Sequence, residues 1–191
     1  KIRSSAEAFL SKKVVVCEGA TEVGFLRGYD DYQVGKGKDP FSYHGVSLLN
    51  AGGASKIKAL AEAFKLLGYE VCVVADGDAE KQFSPTHEAE LEGKGISVQV
   101  WADKLSLEER AFEDLPWFSV IASVKLAQTV PSLTVYDNVR SKYQKLLDDD
   151  VENWIESPEL RAAIGKAAKG CDWFKDITRG DLWVQAINPA F

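Results

Sequence analysis

The chain reads as an α/β protein, a parallel sheet flanked by helices with a helical segment inserted ahead of its last elements. Three observations predict this. Between residues 14 and 101 four short apolar runs alternate with stretches of polar turn or helical periodicity, the rhythm of strands joined by crossover helices. Two of the runs end directly in acids, at Glu18 and at Asp76, and open parallel sheets place their sites at the carboxyl ends of strands. From Ser106 to Gly170 the strand signal is lost and only helical periodicity remains.

Residues 14–17 (Val-Val-Val-Cys) are the first buried strand, and 21–29 follow as a helix with Val23, Leu26 and Tyr29 at helical spacing. A loop rich in Gly and Lys, 33–45, reads as mobile or partner-facing, and 46–50 is the second strand. Ala51-Gly52-Gly53-Ala54-Ser55 leads into a helix that Ser55 caps. Ile57, Leu60, Ala61, Phe64 and Leu67 form one face of it, and Gly68 ends it. Residues 71–75 are the third strand, running into Asp76-Gly77-Asp78. A short helix over 86–92 and a fourth strand over 98–101 follow. Ser106 and Glu109 form a capping box. Beyond it, Tyr136, Val139, Tyr143 and Leu146 mark an amphipathic face, and Ser157-Pro158 start a helix that ends near Gly170. Residues 171–175 (Cys-Asp-Trp-Phe-Lys) read as a last strand, followed by a helix that Thr178 caps. The expected organisation is a sheet core over 1–109, a helical insertion over 110–170 and a return to the core over 171–191.

A length of 191 residues suits one domain with an insertion, and 46% hydrophobic with 27% charged residues describes a soluble globular protein. No apolar run reaches the roughly 20 residues a membrane-spanning helix needs, so no membrane partner is expected. The chain opens at Lys1 without a leader and contains no Met, so it reads as a fragment. Three cysteines with no CxxC pair argue against a disulfide framework or a zinc ribbon and place the protein in a reducing cytoplasm. The net charge of −6 opposes non-specific attraction to nucleic acid. A DNA partner therefore requires local neutralisation, for which Lys36, Lys38, Lys56 and Lys58 are the candidates.

The chemistry-bearing residues are acids at strand ends: Glu18 after the first strand, Asp76 and Asp78 after the third, and Glu108 soon after the fourth. A parallel sheet gathers these at one edge, where clustered carboxylates repel each other and suit hard divalent cations with oxygen ligands. Each also has a plain reading. Asp76-Gly77-Asp78 alone is equally a solvated turn. Glu18 and Glu22, spaced i and i+4, suit the first turn of a helix, whose dipole favours acids. Glu109 is explained by the capping box, Asp148-Asp149-Asp150 by a helix end facing solvent, and the isolated His44 and His87 by structure. The aromatics of "WADKL", "LPWF" and "DWF" read as core. Lys175 stands where it reaches a phosphate near the acidic edge, or is a surface lysine.

The segments "VVVCEGATE", "AGGASK" and "VVADGD" together resemble a Toprim domain, the Rossmann-like metal-binding fold of topoisomerases, primases and several nucleases. "SLEERAFEDLPW" and, after a long helical stretch, "DWFKDITRGD" resemble the carboxy-terminal half of the overcoming-lysogenization-defect (OLD) nucleases, in which an ABC-type ATPase precedes the Toprim nuclease. The resemblance implies a DNA endonuclease using two Mg2+ or Mn2+ ions, with Ca2+ as a non-productive substitute. It implies no nucleotide site in this part, an amino-terminal ATPase partner domain, and room for a homodimer formed through that half. Carried over, Glu18, Glu22, Asp76, Asp78 and Glu108 are metal ligands, with one of Glu18 and Glu22 the general base. Lys175 is the catalytic lysine, and Gly52, Gly53 and Ser55 lie beside the site. The choice of Glu108 over Glu109 and Glu113 rests on the alignment of "LEERAFEDLP". A non-catalytic Toprim DNA-binding or assembly module is the alternative. A phosphatase with Asp76 as nucleophile is disfavoured, because such enzymes carry the DxD on their first strand and here that strand ends in Glu18.

Overall fold

The computed structural model describes residues 2–188. Its four strands, β1 (Lys13–Cys17), β2 (Val46–Asn50), β3 (Glu70–Ala75) and β4 (Ser97–Val100), are parallel and ordered β2-β1-β3-β4. In the register, Val15 of β1 stands between Leu48 of β2 and Cys72 of β3, and Ala75 stands opposite Val100 of β4. The two central strands are nearly unbroken Val because both of their faces are covered, and β-branched side chains suit a pleated surface. Eight helices of the α type accompany the sheet among the described residues: α1 (Ala20–Gly35), α2 (Ile57–Leu66), α3 (Pro85–Glu92), α4 (Leu107–Asp114), α5 (Trp117–Gln128), α6 (Val135–Arg140), α7 (Pro158–Gly170) and α8 (Ile177–Ile187).

Two apolar clusters hold these layers. In the first, alternate residues Val14, Val16, Val71 and Val73 of the sheet meet Ile57, Ala61 and Phe64 of α2, with Leu91 and Ile96 beyond. The second is built by the helices after Ser106, and Trp183 of α8 is at its centre. The Trp183 ring stacks on Phe174 (centroids 4.2 Å apart, 5° between planes) and on Phe112 (5.9 Å), while Phe25 of α1 meets it edge-on at 5.5 Å. Its indole N–H donates to Ser123 Oγ at 2.8 Å, so the one polar atom of this buried ring is satisfied.

Glycines set the contact between α1 and α8. A Cβ added to Gly24 of α1 would lie 2.4 Å from the Ile177 carbonyl oxygen and 2.9 Å from Gly180 Cα. One added to Gly28 would lie 2.8 Å from the Asp181 carbonyl oxygen. The two helices touch backbone to backbone, which fixes where the chain just ahead of α8 emerges relative to the start of α1.

Several elements differ from the sequence expectation for identifiable reasons. α1 runs on to Gly35 because nothing between Tyr29 and Gly37 interrupts it, and the following loop is tied back by the Phe41 N–H donating to Asp30 at 2.9 Å. Ser55 caps nothing; it is exposed and lies in a 3-10 turn, Ala54–Lys56, that precedes α2. α2 ends at Leu66, so Leu67 falls past the last turn and is exposed. Leu146 is likewise exposed, and the face begun by Tyr136 and Val139 stops with the short α6. Residues 171–175 form a turn rather than a strand. Trp173 and Phe174 are consecutive and both enter the same cluster, which a strand forbids because its neighbours point to opposite faces. α8 is capped by Asp176, whose carboxylate accepts the Arg179 N–H at 2.8 Å, and not by Thr178. Asp148, Asp149 and Asp150 are exposed, but Asp150 opens a 3-10 turn rather than closing a helix. The expected segment ends at residue 1 and at 189–191 lie outside the described residues.

Gly24→Ala should therefore lower the unfolding free energy by about 2 kcal/mol, the reverse of the usual gain from replacing a helical glycine. Gly35→Ala, whose added Cβ meets nothing within 4 Å, should leave stability unchanged or slightly raised. Urea denaturation of the two variants checks both.

Candidate functional site

Glu18 is the first residue beyond β1, and its backbone extends the sheet. Its N–H donates to the Val74 carbonyl at 3.0 Å, and its own carbonyl accepts the Gly53 N–H at 2.9 Å. Its side chain reaches the end of the neighbouring strand, where Oε2 accepts the Asp76 N–H at 3.2 Å. Asp76 repeats the pattern: its Oδ1 accepts the Leu107 N–H at 2.9 Å, at the open amino end of α4, where unpaired N–H groups favour an acid. Glu22, one turn into α1 and buried, accepts the Gly19 N–H through Oε2 at 2.8 Å. Glu108, also buried, accepts hydrogen bonds from the hydroxyls of Ser106 and Thr21. Between the two aspartates only glycine fits, since a Cβ on Gly77 would lie 2.1 Å from the Trp101 carbonyl oxygen.

These residues line one cavity of about 350 Å3 at the carboxyl edge of the sheet. Glu18, Glu22, Asp76, Asp78, Glu108 and Lys175 all border it, and so do Lys169, Lys81 and Thr21, which the sequence reading did not single out. Of the three acids considered in "LEERAFEDLP", Glu108 is the one that lines it. Glu109 is turned back to the Ser106 N–H, and Glu113 is exposed. Lys175 is largely exposed at the rim and pairs with Asp172 at 3.0 Å. Lys169, from the last turn of α7, forms an ion pair with Asp78. No local signal marks Lys169 in the sequence, because only the packing of α7 brings it here.

The Gly-rich turn meets the site through one backbone bond, Gly53 to the Glu18 carbonyl. Gly52 donates to Asn50 and accepts from Lys56, and Ser55 does not border the cavity. A second, somewhat larger groove between α1 and α8 contains no comparable set of acids. Of the lysines considered for DNA, Lys58 is paired with Glu90, Lys56 bonds the Gly52 carbonyl, and Lys36 lies over the Tyr32 ring at 5.3 Å.

Gathering the acids raises their proton affinity. Burial pushes Asp76 up to about 8, reinforced by the charges of Glu22 and Glu108, and burial pushes Glu22 up to about 7, reinforced by Glu108 and Glu18. Burial raises Glu18 as well, against the pull of Lys169 and Lys175, and it raises Glu108 against the hydroxyls that bond it. Among the described residues no three His, Cys, Asp or Glu side chains are closed into a cation cage. The expected ligand set is brought together but not drawn tight. Each carboxylate tied to a backbone N–H uses one oxygen for that bond and keeps the other, so an all-oxygen donor set fits a hard divalent ion such as Mg2+ or Mn2+.

Residues 9–78 match the family model of the overcoming lysogenization defect protein-like TOPRIM domain, a span that contains Glu18, Glu22, Asp76 and Asp78. The chain is similar to the solved C-terminal region of the Xanthomonas campestris pv. campestris OLD protein, with 14% identity, a TM-score of 0.49, and coverage of 96% of this chain and 95% of that one. It is also similar to the C-terminal region of the Burkholderia pseudomallei OLD protein, with 12% identity, a TM-score of 0.48, and coverage of 95% and 99%. No curated protein matches the chain by sequence. No helix among the described residues is long and apolar enough to cross a membrane.

Because Asp76 and Glu22 bind protons more tightly folded than unfolded, the metal-free protein takes up protons on folding. Its stability should be fullest below about pH 4 to 4.5 as far as these two groups are concerned, and should fall as pH rises toward 8. Denaturation of metal-stripped protein at pH 5 and pH 8 checks the sign, and Glu22→Gln should reduce the loss at pH 8.

Proposed function

We propose that this chain, whose residues 9–78 match the OLD-like TOPRIM domain, is the nuclease part of a larger protein: a metal-dependent endonuclease that hydrolyses DNA phosphodiesters. The observation that supports this best is the convergence of five carboxylates and three lysines, from distant parts of the chain, on one cavity at the carboxyl edge of a parallel sheet. In this reading Glu18, Glu22, Asp76, Asp78 and Glu108 hold two divalent ions, Mg2+ or Mn2+. When bound, such ions supply an activated water and neutralise charge on the phosphodiester.

The chain's own residues then divide the remaining work. Asp76 and Glu18, both lining the cavity, are oriented by the backbone N–H groups of Leu107 and Asp76, each through one oxygen. Glu18 and Glu22 share the ligand and general-base roles, since both sit beside the same space and both have raised proton affinity. Lys175, exposed at the rim and paired with Asp172, swings to a non-bridging phosphate oxygen and stabilises the charge that develops there. The net charge of −6 and the internal partners of Lys36, Lys56 and Lys58 leave this part with a weak grip on DNA. An ABC-type ATPase half ahead of Lys1 supplies that grip and a dimer contact.

Supercoiled plasmid incubated with the protein and Mg2+ or Mn2+ should be nicked. Glu18→Ala and Lys175→Ala should each slow nicking by about a hundredfold or more. Full activity in either variant would remove that residue from the mechanism. A wild-type protein that binds Mn2+ yet leaves the plasmid intact would favour a binding or assembly role.

A further inference from the structure

Among the described residues, Lys169 is the one lysine of the cavity that forms an ion pair with a proposed ligand, and the fold puts it there by a specific contact. α7 crosses α4 at Gly165, where an added Cβ would lie 2.9 Å from Glu109 Cα. Lys169 follows Gly165 by one helical turn, so it projects from the same face, beside the start of α4. It lies in the last turn of α7, where the helix dipole favours a cation. Its ammonium forms an ion pair with Asp78, at half-shielded positions, and lies 3.8 Å from a carboxylate oxygen of Glu109. Lys175 makes no such contact, its partner being Asp172.

We propose that Lys169 is a built-in counter-ion for Asp78 that competes with the divalent cation for that carboxylate and so sets the cation concentration at which the site fills. An ammonium and a divalent ion repel each other and use the same oxygens, so occupation of Asp78 by one displaces the other. Lys169 is thus a positioning residue acting through Asp78. The inference rests on the reading that Asp78 belongs to a cation site.

The test is Mn2+ affinity of the metal-stripped chain, followed by the electron paramagnetic resonance signal of free Mn2+, with circular dichroism confirming that each variant is folded. Lys169→Met should tighten Mn2+ binding about threefold to tenfold, and Lys169→Arg, which keeps the charge, should stay within about twofold of wild type. In an Asp78→Asn background, Lys169→Met should have no further effect. Unchanged or weaker binding in Lys169→Met overturns the proposal while leaving the metal site intact. Equal tightening with and without Asp78 overturns it as well, since the lysine then acts on the cluster at large. A wild-type chain that binds no Mn2+ overturns the metal reading itself, and this inference with it.

Discussion

Five carboxylates border one cavity of about 350 Å3, and their mutual repulsion in a poorly solvated space is the constraint on which the surrounding architecture turns. Left to themselves they would move apart or take up protons, and burial, reinforced by the neighbouring acids, raises the proton affinities of Asp76 and Glu22. What restrains them is a relay of backbone N–H groups. The Asp76 N–H holds Glu18, the Leu107 N–H holds Asp76, and the Gly19 N–H holds Glu22. The first two bonds each link an acid to the terminus of another element, so the end of β1, the end of β3 and the start of α4 are registered to one another through the acids themselves, while the third closes the amino end of α1. Positive charge from Lys169 completes the arrangement on the Asp78 side.

This relay works only if the elements approach closely, and the chain achieves that with absent side chains as much as with present ones. Gly77 lets the turn after β3 lie against the Trp101 carbonyl, Gly165 lets α7 lie against α4, and Gly24 and Gly180 let α1 lie against α8. The aromatic cluster around Trp183 clamps the same helices from behind, with Phe25, Phe112 and Phe174 drawn from three separate parts of the chain. Large rings behind and glycines at the crossing points together deliver Lys169 and Lys175, neither of them near a strand end, to an acidic edge built by strands.

Much of this was legible in the residues. The Val-rich runs, the Ser106–Glu109 capping box and the Ser157-Pro158 helix start are local signals, and the structure keeps all of them close to where periodicity put them. Signals of equal local strength misled where tertiary packing overrode them. Ser55 has the chemistry of a cap but lies inside the 3-10 turn that precedes α2, and "CDWFK" has strand-like composition but must send two adjacent aromatics into one cluster. Thr178 gave way to Asp176, whose carboxylate better satisfies the first free N–H groups of α8.

By itself the sequence determined an α/β chain whose strands end in Glu18 and Asp76-Gly77-Asp78, because alternation, caps and strand-end acids are properties of neighbouring residues. Only the tertiary structure decided that Glu108 faces the cavity while Glu109 turns back to its cap, and that Lys169 reaches Asp78. Those outcomes depend on the crossing of α4 with α7, where one glycine permits an approach that no spacing along the chain encodes.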